Sequence, residues 1–198
     1  MAIRKYRPTF YHGVPTMYVA FNNAPNVRRY GFHSLRVCMS GGAPLPVEVR
    51  QKFEALTGGK LVEGYGLTEA GTCTGCQPDD DAETIATTAG RAMPGLEVVI
   101  ADGKGRETER GATGELLVRG YSVMKGYLDQ ADATAKVLSD DGWYRTGDMA
   151  VIDAAGVIRL TERLRRFLKI GGEMVPHVRA EGGISKICAA GEEERAVA

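Results

Sequence analysis

The chain has 198 residues, 43% hydrophobic and 25% charged, which places it among ordinary globular proteins and excludes disordered or fibrous classes. Lys plus Arg (25) balance Asp plus Glu (25), so a formal net charge of zero gives no whole-chain argument for nucleic acid or an acidic membrane surface. No apolar run reaches the ~20 residues that span a bilayer, and the basic segment Met1 to Phe10 lacks the apolar stretch of a secretory signal, so a cytoplasmic setting is expected.

In chain order, Thr9 to Val14 predicts a strand, and Pro15 to Phe21 starts a helix with proline at a tolerated early position. Leu35 to Met39 is a short apolar run feeding the turn Ser40-Gly41-Gly42. Pro46 to Leu56 predicts a helix with Val47, Val49, Phe53 and Leu56 as its apolar positions, stopped by Thr57-Gly58-Gly59. Lys60 to Tyr65 returns to strand. Strand, helix, strand at this spacing predicts a parallel α/β layer.

The pattern changes after Pro78. Asp79-Asp80-Asp81 predicts an acidic loop. Leu96 to Ala101, Gly114 to Arg119, Met149 to Ile152 and Val157 to Leu160 predict short strands, with turns at Asp102-Gly103 and Ala155-Gly156. Asp129 to Leu138 is the one helical interruption. This section predicts a small antiparallel barrel or sandwich packed on the α/β layer. A third shift follows Arg163, where Gly171-Gly172 and Pro176 mark a turn and the remainder is short and polar. The expected domains are therefore 1–85, 86–163 and 164–198.

Four motifs carry candidate chemistry. In Tyr65-Gly66-Leu67-Thr68-Glu69, a strand end feeds a glycine turn. Thr68 offers a hydroxyl to phosphate, Glu69 a hard oxygen to Mg²⁺, and Tyr65 a flat face to a base; a strand, a turn and a Thr/Glu cap would account for the same residues. Gly41-Gly42-Ala43-Pro44 lets a flat ligand approach the backbone, or is common loop chemistry before a Pro-started helix. Asp148, in Tyr144-Arg145-Thr146-Gly147-Asp148, is a carboxylate on a glycine turn that can accept two ribose hydroxyls or can simply close a hairpin. Arg163, Arg165, Arg166 and Lys169 cluster before Gly171-Gly172, where they can bind phosphate, pin a hinge, or form a solvated charge run. Cys73 and Cys76 form a CxxC that raises zinc or redox chemistry. With Cys38 and Cys188 isolated, no second CxxC or His pair completes a tetrahedral set, and small reduced loop residues are the simpler reading.

Order and spacing make these signals specific. SGGAPLP, EGYGLTEA, GELLVRGYSVMKGYLD, WYRTGD and the stretch from Glu162 to Val175 follow one another as in the adenylate-forming superfamily. The chain resembles its fatty acyl-CoA and acyl-carrier-protein synthetases from Ile3 to about Ala198. The resemblance implies part of the parallel α/β layer of an AMP-binding domain, an antiparallel β-barrel subdomain and the start of a C-terminal lid. It implies that Gly41, Gly42 and Ala43 line the adenine and acyl-adenylate pocket, with Gly66 beside it. Tyr65 would stack on adenine, Thr68 would contact phosphate, and Glu69 would hold Mg²⁺. Asp148 would bind ribose, helped by Arg163. Arg165 would be the hinge, and Lys169 would assist the thioester step.

The implied cofactors are ATP, Mg²⁺ and coenzyme A, or an acyl carrier protein's phosphopantetheine, with a fatty acid as substrate. Gln77 to Gly90 and RGYSVMKGYLD resemble the acyl-CoA synthetases. Arg166 to His177 resembles acyl-carrier-protein synthetases, some fused to acyl-glycerophosphoethanolamine acyltransferases. Peripheral membrane association is expected of a full-length protein, and no nucleic-acid partner.

The sequence also departs from the family. No Ser/Thr/Gly-rich phosphate loop ending in Lys, and no aromatic gate segment, precedes Tyr11. The lid's catalytic Lys has no counterpart, since Lys186 lacks its context. Glu162 stands where Gly or Asp is usual. Glu181-Gly182-Gly183 replaces an acidic helix start, and each glycine weakens a helix by roughly 1 kcal/mol. The chain is therefore expected to be an incomplete, poorly active fragment. The alternatives are a non-catalytic nucleotide or acyl-binding module and an interaction protein of the same ancestry. A parallel layer without its earlier strands leaves an edge bare, so self-association is expected.

Overall fold

The computed structural model describes residues 2–163, 167–170 and 173–176, with the side-chain surroundings of residue 28 and of residues after 161 left aside. Two compact units divide at Glu162/Arg163.

The first unit opens with α1 (Ala2–Tyr6), β1 (Phe10–Gly13), α2 (Pro15–Asn23), β2 (Val37–Ser40), α3 (Val47–Thr57) and β3 (Lys60–Leu67). Pro15 starts α2, where its missing N–H is one of the unpaired donors of any helix start. Gly58 ends α3 in the left-handed region (φ 75°), and its N–H donates to the Glu54 carbonyl. β1, β2 and β3 are parallel, with Phe10 opposite Val37 and Val37 opposite Lys60, so α2 and α3 are crossover helices of a parallel layer.

The core under this layer is Tyr18, Phe32, Leu35, Cys38, Leu45, Phe53 and Leu61. Tyr18 meets Phe53 edge-on, with centroids 5.0 Å apart, and Phe21 meets Phe32 at the same separation. Each such contact adds about 0.5–1.5 kcal/mol beyond its buried area. The Tyr18 hydroxyl donates to the Met39 carbonyl at 2.8 Å, so the phenol is buried at little polar cost. The face of α3 differs from expectation: Arg50, Phe53 and Thr57 are buried and Val47 is exposed. Arg50 goes inward because its guanidinium reaches the Ala82 carbonyl at 3.3 Å.

β3 does not stop at Tyr65. It runs to Leu67 and turns back into β4 (Gly71–Gly75), a hairpin unseen in the sequence, with Tyr65 opposite Thr74 and Leu67 opposite Gly71. The register shifts between Tyr65 and Gly66. A Cβ on Gly66 would lie 2.2 Å from the Gly71 carbonyl oxygen, so only glycine permits this closeness. The acidic loop leads into α4 (Ala82–Thr87), likewise unexpected; the Asp81 carboxylate caps it by accepting the Thr84 N–H at 2.8 Å. β5 (Arg91–Ala92) completes a five-stranded sheet of order β1-β2-β3-β4-β5.

β6 (Leu96–Ala101), β7 (Thr113–Gly120), α5 (Ala131–Ala135), β8 (Tyr144–Ile152) and β9 (Ile158–Arg163) follow. The four strands form an antiparallel sheet of order β6-β7-β8-β9. α5 is shorter than the predicted helix. β8 is longer than predicted: Tyr144 to Asp148 lie inside it and not in a hairpin turn. Thr146 belongs in the core because its hydroxyl donates to the Leu116 carbonyl at 2.8 Å.

The second unit contains β10 (Phe167–Ile170) and β11 (Glu173–Pro176), an antiparallel pair with Phe167 opposite Pro176. Lys169 lies in β10. The predicted hinge residue Arg165, the Gly171-Gly172 turn and Lys186 lie outside the described residues.

Candidate functional site

Ser40-Gly41-Gly42-Ala43 leaves β2 at the level where β3 passes Glu63 and Gly64. Ser40 is opposite Glu63, and a Cβ on Gly41 would lie 3.2 Å from the Gly64 carbonyl oxygen. The first motif therefore backs directly onto the residue before Tyr65. Gly42, in the left-handed region at φ 83°, and Ala43 are exposed. Glu63 ties this loop to β3: its carboxylate accepts the Leu45 N–H at 3.2 Å. Burial pushes the Glu63 carboxyl up to about 7, against the Leu45 N–H and the Arg50 charge, which pull it down.

The decisive contact joins the second and third motifs. The Tyr65 hydroxyl donates to Asp148 Oδ2 at 2.6 Å, across 83 residues of sequence. Tyr65 packs against both clusters of the antiparallel subdomain, one around Ile100, Leu116 and Ile158, the other around Leu96, Val118 and Tyr144. Burial, then the bond to Asp148, raises the phenol far above its ordinary range, so it is a permanent donor. Asp148 is only 8% exposed, and its N–H donates to Thr146 Oγ1 at 3.0 Å. A carboxylate has about four lone-pair sites, of which the Tyr65 hydroxyl takes one.

Glu115, absent from the sequence reading, holds the strand around Asp148. Its carboxylate accepts the Gly147 N–H at 3.1 Å and pairs with Arg145 Nε at 3.0 Å. Gly147, at φ 72°, provides the local kink.

The turn after β3 presents Thr68, which is exposed, and Glu69, which is half-buried. Glu69 Oε1 accepts the Tyr127 hydroxyl at 2.9 Å, which brings the GYSVMKGYLD stretch to the same place. Tyr127 was also missed. Its one sequence signal is its position in a motif of the resemblance.

Among the described residues, no group of three or more His, Cys, Asp or Glu side chains is placed to hold a metal ion. Mg²⁺ typically arrives bound to phosphate and water with one or two carboxylates, and a half-buried Glu69 beside an exposed Thr68 fits that donor set. The CxxC is structural in its surroundings. Cys73 and Cys76 are buried, Cys73 Sγ against the Ala70 and Gly71 carbonyls and Cys76 Sγ against the Thr84 and Thr88 carbonyls. Burial pushes the Cys73 thiol up to about 11, which keeps it protonated and unreactive. Arg163 ends β9 and Lys169 sits in the second unit; their side chains are not among those described.

Residues 1–128 match the family described as AMP-binding enzyme. The chain belongs to that family. Among curated AMP-binding relatives, a long-chain-fatty-acid–CoA ligase of Bacillus subtilis is 38% identical over 185 residues, covering 86% of this chain and 30% of the relative. A 3-[(3aS,4S,7aS)-7a-methyl-1,5-dioxo-octahydro-1H-inden-4-yl]propanoyl:CoA ligase of Rhodococcus jostii is 38% identical over 176 residues, covering 88% and 32%. The solved amide bond synthetase McbA of Marinactinospora thermotolerans superposes with a TM-score of 0.75 at 35% identity, over 90% of this chain and 36% of McbA. The chain thus spans about a third of the length of the curated relatives it matches.

Proposed function

We propose that this AMP-binding chain supplies the ribose- and phosphate-facing part of an ATP-dependent acid–thiol ligase. In that reaction a fatty or related lipid carboxylate attacks the α-phosphate of ATP, which releases pyrophosphate and forms acyl-AMP, and a pantetheine thiol then attacks the acyl carbon and displaces AMP. The observation that carries the reading is the Tyr65–Asp148 hydrogen bond, which ties the phosphate-side motif to the carboxylate that would grip ribose. The relatives named as acyl-CoA ligases support it, and they favour coenzyme A over a carrier protein as the acceptor.

In this reading Asp148 accepts the ribose hydroxyls, helped by Arg163, while Tyr65 holds the carboxylate in place and offers a ring face to adenine. Gly41, Gly42 and Ala43 form the wall along the adenine and acyl-adenylate, and Gly66 keeps the β3–β4 hairpin close behind them. Thr68 donates to phosphate and Glu69 holds Mg²⁺, which when bound neutralises charge developing at phosphorus. Arg165 is the hinge of the lid and Lys169 assists thiol attack. The division into 1–85, 86–163 and 164–198 and the cytoplasmic setting belong to the same proposal. No described helix is long and apolar enough to cross a membrane.

Ribose recognition tests the reading. Calorimetry with AMP and with 2′,3′-dideoxy-AMP should show preference for AMP, and Asp148→Ala should abolish the preference. Equal binding of both nucleotides by the unaltered chain would contradict the assignment of Asp148.

A further inference from the structure

The GYSVMKGYLD stretch grips the Glu69 turn at three points. The Ser122 hydroxyl donates to the Ala70 carbonyl at 2.6 Å. The Met124 N–H donates to the Glu69 carbonyl at 2.7 Å. The Tyr127 hydroxyl donates to Glu69 Oε1 at 2.9 Å. Two of these fix the backbone of the turn, and the third fixes the carboxylate itself.

Tyr127 is in turn held from behind. Its N–H donates to Thr134 Oγ1 at 2.9 Å, and the Thr134 hydroxyl donates to the Gln130 carbonyl at 3.0 Å. A Cβ on Gly126 would lie 2.9 Å from Thr134 Cγ2, so the neighbour of Tyr127 must be small for this approach.

We propose that the 122–134 segment is a clamp that orients the Glu69 carboxylate toward a phosphate-bound divalent cation, with Tyr127 as its positioning residue. This rests on the reading of Glu69 as a metal-facing carboxylate. The geometry divides the carboxylate: Oε1 is engaged by Tyr127, while Oε2 has no hydrogen bond among the described residues. A hydrogen bond to one oxygen restricts rotation of the group and presents the other in a fixed direction, as outer partners of metal ligands do. A phenylalanine would pack equally well but could not address the carboxylate. The hydroxyl is therefore the informative atom.

The test is Mn²⁺ binding in the presence of ATP, read by the EPR signal of the bound ion, for the full chain and Tyr127→Phe, Thr134→Val and Glu69→Gln. Loss of an outer hydrogen bond typically weakens metal affinity about 10- to 100-fold. Tyr127→Phe should bind Mn²⁺ about 10-fold more weakly with an altered line shape, while metal-free ATP affinity and cooperative melting persist. Thr134→Val, which keeps the Tyr127 hydroxyl but removes the Thr134 oxygen that accepts the Tyr127 N–H, should show a smaller loss of the same kind, and carries the test if Tyr127→Phe fails to fold. Tyr127→Phe equal to the unaltered chain, with Glu69→Gln weakened, overturns the clamp and leaves the role of Glu69 standing. Glu69→Gln equal to the unaltered chain overturns both.

Discussion

Glu63 offers a prediction whose size follows from its surroundings. The side chain is half-buried beside the SGGAPLP loop, and burial lifts its carboxyl from 4.5 to about 7. Groups facing it are the Leu45 N–H, the Arg50 guanidinium of α3 and, more weakly, the Cys76 thiol after β4. A raised carboxylate favours folding when neutral and opposes it when charged. Its contribution is fully present below the unfolded value and is lost as pH rises from about 4.5 through about 7. At 1.36 kcal/mol per unit, discounted for the solvent screening of a half-buried group, the ionised carboxylate costs about 2 kcal/mol of stability at pH 8. Glu63→Gln keeps an oxygen for the Leu45 N–H and removes the charge. Urea unfolding at pH 5 and pH 8 should show the two proteins nearly equal at pH 5 and Glu63→Gln more stable by about 2 kcal/mol at pH 8. A difference independent of pH, or a Glu63→Gln protein less stable at pH 8, would refute the reasoning.

Gly66→Ala should destabilise the chain severely, by about 3 kcal/mol or more, because the new Cβ meets the Gly71 carbonyl oxygen at 2.2 Å and backbone has to move; urea midpoints measure it, and a near-neutral result would mean the hairpin is not as close as described. The chain should also self-associate. β1 is an edge strand, and Tyr6 (70% exposed), Phe10 (52%) and Val14 (43%) lie on or beside it. Sedimentation velocity should show dimers or larger species, and a monodisperse monomer at micromolar concentration would refute this.

The parallel layer was legible because its signals are local. Apolar runs at Val37 and Lys60 and stops at Gly41 and Gly58 need no partner to be read. The Tyr144 to Asp148 half of β8 was not legible, because Arg, Thr, Gly and Asp in a row resemble a turn. Only the partners of Thr146 and Asp148, at the Leu116 carbonyl and the Tyr65 hydroxyl, make polar residues acceptable inside a strand. α4 carried its signal in Asp81 and Thr84, but the acidic run before it hid the cap. For the site, resemblance supplied the order of motifs, and the structure supplied their contacts. Tyr65 with Asp148 and Tyr127 with Glu69 are separated by 83 and 58 residues, a pairing that no spacing rule encodes. Glu115 escaped notice because Gly114-Glu115 precedes an apolar run and looks like an ordinary strand start.

The most direct test of the central claim is pyrophosphate release from ATP and Mg²⁺ with a panel of fatty acids, comparing a protein that carries this chain within the full length of its relatives with its Asp148→Ala variant. The account predicts release that depends on a fatty acid and falls by at least 100-fold in Asp148→Ala, the change that about 3 kcal/mol of lost ribose binding produces. Release that ignores the fatty acid, or survives Asp148→Ala unchanged, would contradict it.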